Sequence, residues 1–327
     1  MYKPPFSITS KMLASSISIT EKLGKIKTFS SLKKMPILRK NNKIKSIHSS
    51  LAIEANSLSL HQIRDVIDGK LVLGPQREIQ EVKNAYNAYS MISNLDAYSE
   101  KDLLKVHGII TYLINDDCGR YRNHAEGVFD GEKVIFVAPP SKMVSTLMKD
   151  LFDWLKNDNE TPILIKSCIF HYEFVFIHPF SDGNGRMARL WQNVLLCEWN
   201  NAFEYIPVES YIYKYQSTYY EKISISHKNG NSNEFIEFML QVIDETLDEI
   251  LIGIEKESLN ISYQVSKLLE VMDNDIPYSA NELMARLGIK SKETLRASYL
   301  NPALDNGLIK MLIPNKPNSK NQKYIKQ

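Results

Sequence analysis

A chain of 327 residues with 43% hydrophobic content can bury two or three cores, or one core with appendages, and its composition is that of a soluble globular protein. Forty Lys and Arg against 38 Asp and Glu leave a formal charge of +2; the three scattered cysteines, Cys118, Cys168 and Cys197, show no metal-ligand spacing and exclude a small disulfide-stapled scaffold. No run of about 18 apolar residues suggests a membrane span, and the Ser- and Lys-rich start lacks the apolar stretch of a secretory signal, so a reducing cytoplasm is the expected compartment.

Charge is unevenly spread along the chain. Residues 1–50 hold eleven Lys or Arg and one acid, Glu21, whereas residues 234–257 hold eight acids and one lysine. Such asymmetry can attract anionic partners to one end, but a solvated basic arm and a solvated acidic helix face are the favoured reading. Ala52, Ile53 and Leu58 predict a partly apolar helix over about 48–57, with Glu54 off its apolar stripe. Ser99 with Asp102 opens a helix running to about Ile114. Gly127-Val128-Phe129, a tight Asp130-Gly131 turn and Lys133 to Val137 read as a hairpin, closed by Ala138-Pro139-Pro140. Ser141 then caps a helix with Val144, Leu147, Met148, Leu151 and Leu155 on one face. Thr161 caps the next, with Pro162 at its first position. Ile163 to Ile177 is apolar on nearly all sides, which predicts a buried central helix. Further helices are expected over 185–199 and 233–257.

From about residue 262 the pattern changes. Ile261 to Met272 reads as a helix. Ser279 caps Ala280 to Leu287, ended by Gly288, and Ser291 caps Lys292 to Asn306, ended by Gly307. Leu308 to Pro314 and Gln322 to Ile325 read as strands. Three helices and a hairpin predict a winged helix-turn-helix module. Lys310, Lys316, Lys320, Lys323 and Lys326 give it a basic wing suited to DNA phosphates. Its expected recognition helix has only Lys292 and Arg296 as bases, so protein docking or homodimerisation is an equal alternative.

The most informative stretch is residues 178–189, His-Pro-Phe-Ser-Asp-Gly-Asn-Gly-Arg-Met-Ala-Arg. His178, at the end of a rigid apolar helix, is a candidate general base near neutral pH. Gly183-Asn184-Gly185 permits positive φ angles, so successive amides can line an anion nest at a helix N-terminus. Arg186 and Arg189, three residues apart, share a helix face and bind phosphate oxygens bidentately. Asp182, beside that nest, suits Mg²⁺ completed by phosphate oxygens and water. Phe180 should be buried and anchor the loop, and Pro179 should stiffen the helix exit.

The pattern His-x-Phe-x-Asp-Gly-Asn-Gly-Arg-x-x-Arg resembles the Fic (Fido) family motif at every defining position. Leu104-x-x-His107-Gly108, Gly119-Arg120-Tyr121-Arg122, Phe136 to Pro140, Trp154-Leu155 and Tyr219-Tyr220 extend the likeness over about residues 100–245. The resemblance implies a mainly α fold, with a Fic-type helical core and a small β-hairpin flap. It also implies protein adenylylation. His178 would deprotonate a target Ser, Thr or Tyr hydroxyl, which would attack the α-phosphate of ATP. Asp182 would hold Mg²⁺; the Gly183–Gly185 amides, Asn184 among them, and Arg186 would stabilise the transferred group. Arg189 would hold the γ-phosphate, Tyr219 would line the adenine pocket, and the flap would align the target. Ser50 and Glu54 resemble the family's inhibitory Ser/Thr-x-x-x-Glu-Gly/Asn motif, with Ala55 in place of Gly or Asn and Asn56 one position late. Glu54 would then occupy Arg189. The domains read as 1–98 with the inhibitory helix, 99–257 as the Fic core and 258–327 as the winged module. Removal of AMP, transfer of another phosphate-linked group, or a DNA-binding regulator are the alternative readings.

Overall fold

The computed structural model describes residues 2–28, 36–130, 133–260, 263–317 and 319–327. The chain folds into two compact units: Met1–Glu21 with Asn42–Asp248, and Lys22–Asn41 with Glu249–Gln327. Among the described residues no helix is long and apolar enough to cross a membrane. The architecture is mainly helical.

In chain order the helices are α1 (Ser10–Thr28), α2 (Pro36–Ile53), α3 (Leu60–Ile67), α4 (Gln76–Tyr89) and α5 (Glu100–Ile110). Strands β1 (Gly127–Asp130) and β2 (Lys133–Val137) follow, then α6 (Ser141–Asn157), α7 (Ile163–Ile177) and α8 (Asn184–Trp199). Helices α9 (Val208–Lys214), α10 (Gln216–Asn229) and α11 (Asn233–Asn260) come next.

Helix α7 is the centre of the first unit, because a helix apolar on all sides leaves water only by being surrounded. Leu164 through Phe174 and Ile177 are buried. Helices α6 and α8 pack against it. Phe152 of α6 meets both Phe170 of α7 and Trp191 of α8 edge-on, at ring separations of 5.5 and 6.4 Å. Full burial of each such side chain contributes about 1.5–3 kcal/mol. The N-terminal residues are tied down rather than trailing: the Tyr2 hydroxyl donates to Glu173 at 2.8 Å and Thr9 donates to Glu237 at 2.7 Å.

Helix ends depart from the sequence reading in instructive ways. Ser141 is the first residue of α6 and not its cap; Pro140 holds the cap position, and its carbonyl takes the Met143 amide. Pro162 likewise caps α7, while Thr161 is bound to the Asp158 carboxylate. Helix α5 stops at Ile110, short of Ile114, as the chain turns through a left-handed Leu113. Helix α2 ends at Ile53, so Glu54 lies in the turn after it, not within a helix. The hairpin pairs antiparallel with an irregularity between Val128 and Phe129; Gly131 of the expected turn lies outside the described residues.

In the second unit, α12 (Tyr263–Glu270), α13 (Ala280–Leu287) and a helical run from Lys292 to Asp305 surround an apolar core. Ser279 caps α13 in a reciprocal box with Glu282, and left-handed Gly288 ends it, as the spacing predicts. The last run is interrupted: Lys292–Thr294 is α-helical, Leu295–Leu300 is a π turn and Asn301–Asp305 is α-helical again. Pro302 brings no amide hydrogen to this ladder, and its ring crowds the carbonyl four residues back. Strands β4 (Ile309–Met311) and β5 (Lys323–Lys326) pair antiparallel, and a short β3 (Tyr278–Ser279), absent from the sequence reading, adds to the outer side of β5. The elements are consistent with a winged module.

Candidate functional site

The site is built where α7 ends and α8 begins. His178 caps α7 in the left-handed region, at φ 50° and ψ 60°. That conformation costs a non-glycine residue about 1–2 kcal/mol, so something must hold it. Arg122 does. Its guanidinium donates to the carbonyls of His178 (2.6 Å), Pro139 (2.6 Å), His124 (2.8 Å) and Ile177 (3.3 Å). One buried side chain thereby ties the histidine turn to the chain on both sides of the hairpin. The His178 ring places Nδ1 3.4 Å from the Val175 carbonyl, so Nδ1 carries the hydrogen and Nε2 keeps its lone pair. Burial lowers its pKa, which favours the neutral, basic form.

The loop then closes on itself. Asn184 Oδ1 accepts from the Phe180 amide at 2.9 Å, and its Nδ2 donates to the Phe180 carbonyl at 2.7 Å. The Asn184 side chain is therefore a clamp within the loop. Phe180 is fully buried and stacks on His107, with ring centres 3.5 Å apart and planes 4° from parallel. Of the Gly-Asn-Gly run only Gly183 has positive φ (82°); Asn184 and Gly185 are already helical. Gly183 is the N-cap of α8, and no side chain caps that end. A helix start without a side-chain cap leaves amide donors and a positive dipole end to an anion.

Gly185 explains itself by what a Cβ would strike: the carboxylate of Glu54. Glu54 Oε1 lies 2.7 Å from Arg189 Nη2, which also donates to the Ser50 carbonyl at 2.9 Å, while Arg189 Nε donates to the Ser50 hydroxyl at 3.2 Å. The two residues meet across 135 positions of sequence, as the motif resemblance implied. Burial works against the Arg189 charge, but Glu54, Tyr219 and Tyr89 together offset it and the net shift is upward. Ala55, immediately after, is left-handed at φ 65°. Asn56 donates to Glu81 Oε2 at 2.8 Å.

Glu81 belongs to a ring of alternating charge that the sequence did not reveal. Asp182 Oδ1 takes Arg186 Nη2 at 2.8 Å, Arg186 Nη1 reaches Glu81 at 3.4 Å, Arg77 Nε lies 3.8 Å from Glu81, and Arg77 Nη2 returns to Asp182 Oδ2 at 3.1 Å. Arg77 and Glu81 are one turn apart on α4 and carry no motif, so no pattern singled them out. Arg186 Nε is buried and has no hydrogen-bond partner among the described residues. A cavity of about 620 Å³ opens beside the ring, lined by Glu54, His178, Gly185, Arg189, Tyr219 and Tyr220. Phe136 of the hairpin and His227 of α10 also line it, their rings 4.4 Å apart. Asp182, Gly183 and Arg186 are not among its lining residues. Tyr219 is 1% exposed, with its hydroxyl bonded to buried His171 at 2.9 Å, so much of it is core. Among the described residues no group of three or more His, Cys, Asp or Glu is placed to hold a metal.

Two family models match the chain: the Fic/DOC family over residues 97–196, and the C-terminal domain of Fic-like filamentation-induced-by-cAMP proteins over residues 263–325. The chain is 41% identical to a Fic family protein from Desulfovibrio desulfuricans G20, whose crystal structure superposes with a TM-score of 0.76 over 100% of this chain and 98% of that one. It is 28% identical over 262 residues to a probable protein adenylyltransferase of Aquifex aeolicus, covering 76% of each. It is 25% identical over 269 residues to the protein adenylyltransferase fic-1 of Caenorhabditis elegans, covering 78% of this chain and 50% of that protein. The chain thus spans half the length of the nematode relative.

Proposed function

The chain belongs to the Fic/DOC family, and from that premise we propose that it transfers AMP from ATP to a Ser, Thr or Tyr hydroxyl of a protein. The observation that carries this reading is the cavity where His178, the uncapped start of α8 and Arg189 converge. His178 Nε2 takes the hydroxyl proton as the oxygen bonds to the α-phosphorus. The bond from that phosphorus to the bridging oxygen breaks, and pyrophosphate leaves. The Gly183 and Gly185 amides and Arg186 stabilise charge on the transferred group. The Arg186 Nε lacking an acceptor is a donor suited to such an anion. Arg189 receives the γ-phosphate, and Tyr219 supports the base pocket.

Asp182 would hold Mg²⁺ with phosphate oxygens and water, since Mg²⁺ needs only one or two carboxylates beside phosphate; Arg77, which pairs with its Oδ2 at 3.1 Å, would give way to the ion. When bound there, the ion would neutralise charge on the α- and β-phosphates. Glu54 acts as a brake: its carboxylate holds Arg189 and fills the space over Gly185, both of which the triphosphate requires. The C-terminal unit selects the target or a partner.

Intact-mass spectrometry after incubation with ATP and Mg²⁺ tests the whole reading. Glu54→Gly should gain one AMP per modified hydroxyl, on itself or on an added protein, faster than wild type. No gain by either form, under conditions where both bind ATP, would refute transfer. Equal rates would remove the brake.

A further inference from the structure

His107 is fully buried on α5, beneath the loop and away from the cavity lining, and the proposed chemistry gives it no part. Its ring nonetheless makes three contacts that together define one state. The Gly119 amide lies 3.0 Å from Nδ1. A backbone N–H only donates, so Nδ1 must be the acceptor and carry no hydrogen. The hydrogen is therefore on Nε2, which lies 3.0 Å from the Asp182 carbonyl and donates to it. Stacking on Phe180 fixes the plane of the ring.

The consequence follows from peptide planarity. In a trans peptide the C=O of one residue and the N–H of the next point in opposite directions. With the Asp182 carbonyl drawn inward to His107, the Gly183 N–H must face outward. It does, donating to Asp182 Oδ1 at 2.6 Å. Gly183 also sits close over this support: a Cβ there would lie 3.8 Å from His107 Nε2 and 3.3 Å from Thr111 Cγ2.

We infer that His107 is a positioning residue for the phosphate loop, which, from behind, turns the Gly183 amide and the Asp182 carboxylate toward the anion side. The inference deepens the proposed AMP transfer and rests on it. Loss of the ring hydrogen bonds frees the Asp182–Gly183 peptide to rotate, and rotation would present a carbonyl oxygen to a phosphate in place of a donor. Both His107 partners are backbone groups in part-buried hydrogen bonds, so their loss carries part of the penalty of unsatisfied polar atoms.

The test uses the full chain in the Glu54→Gly background. His107→Phe keeps the stack on Phe180 and removes both hydrogen bonds. His107→Gln keeps a donor at the reach of Nε2. We expect kcat for AMP transfer to fall about ten- to a hundredfold in His107→Phe, with KM for ATP changed much less, and His107→Gln to recover most of the loss. Imidazole ¹⁵N spectra of the parent protein should show His107 protonated on Nε2 alone, and the Gly183 amide resonance should shift in His107→Phe and return in His107→Gln. Equal damage by both substitutions, or an Nδ1-protonated ring, overturns the inference. If the parent transfers no AMP, the functional reading fails by itself, and the two spectroscopic results still decide whether His107 orients the peptide.

Discussion

The two compact units bury different things. In the first, Arg122, Lys166, Glu173, Arg186, Arg189 and Glu209 are each no more than 7% exposed, alongside His107 and His171. In the second, among the described residues, Gln322 is the only buried polar side chain, and the interior is Val265, Leu268, Leu283, Leu295, Leu300 and their apolar neighbours. Buried charge costs several kcal/mol unless it is matched by partners. The first unit meets that cost repeatedly, with carbonyls around Arg122, Ser50 and Glu54 around Arg189, and Tyr2 on Glu173. A fold retains such groups where the placement of polar atoms is itself the product. The second unit is held by apolar packing, and whatever it recognises must be read from its surface.

The largest test of this contrast is His178→Ala in the Glu54→Gly background. Loss of a general base should lower AMP transfer by about 10²–10⁴-fold, with the melting temperature little changed. A comparable loss of stability would mean that the polar interior is scaffold rather than site. Next is Leu295→Ala, which removes a fully buried side chain from the second unit. It should destabilise that unit by about 2–5 kcal/mol in denaturant titration, while nucleotide binding by the first unit is retained. Coupled loss of both would erase the distinction between the units.

Glu173 offers a subtler probe. Burial raises its pKa to about 7, partly countered by the Tyr2 hydrogen bond. The folded state thus keeps a proton that the unfolded chain releases above about pH 4.5. Its contribution to stability is complete below that pH and is lost as pH rises through about 7. Glu173→Gln should abolish this decline and be about 2–3 kcal/mol more stable than wild type at about pH 8, with no difference at about pH 4. The smallest effect is expected from Ala55→Gly. Glycine accepts the left-handed conformation without the alanine penalty, so the variant should be about 1 kcal/mol more stable and hold Glu54 more firmly. Basal AMP transfer should drop a few-fold; a rise would show that the turn does not govern the carboxylate.

Much of this architecture is legible in the amino-acid order itself. The all-round apolar run of α7, the Ser279 and Ser291 caps and the Gly288 stop follow from local chemistry, which the sequence displays directly. The Ser50, Glu54 and Arg189 cluster is legible only through a motif, since nothing local couples residues 135 positions apart. Other supports leave no such trace. Arg122 is part of a recognised segment, but its four carbonyl bonds depend on how three separate chain turns converge. Arg77 and Glu81 look like any i,i+4 pair on a helix surface. Ser141 and Thr161 mislead because a neighbouring proline takes the cap position in each case.

The backbone around Glu54 is pinned on both sides: its own amide and that of Asn56 bond to the Leu51 carbonyl, and the Asn56 side chain is held by Glu78 and Glu81. The Glu54 side chain itself is 37% exposed. Freeing Arg189 therefore requires rotation about one side chain and no unfolding of a segment. Rotation alone is fast in exposed groups, but here it must also break the 2.7 Å pair with an arginine side chain that is 1% exposed, which makes the open rotamer a minor population. On the proposed reading of Glu54 as a brake, the resting protein is an equilibrium between closed and open rotamers, closer to a valve with a small leak than to a catch that must be sprung. On that reading a nucleotide would gain access by mass action on the open rotamer, and ATP concentration would set how much of the protein is working.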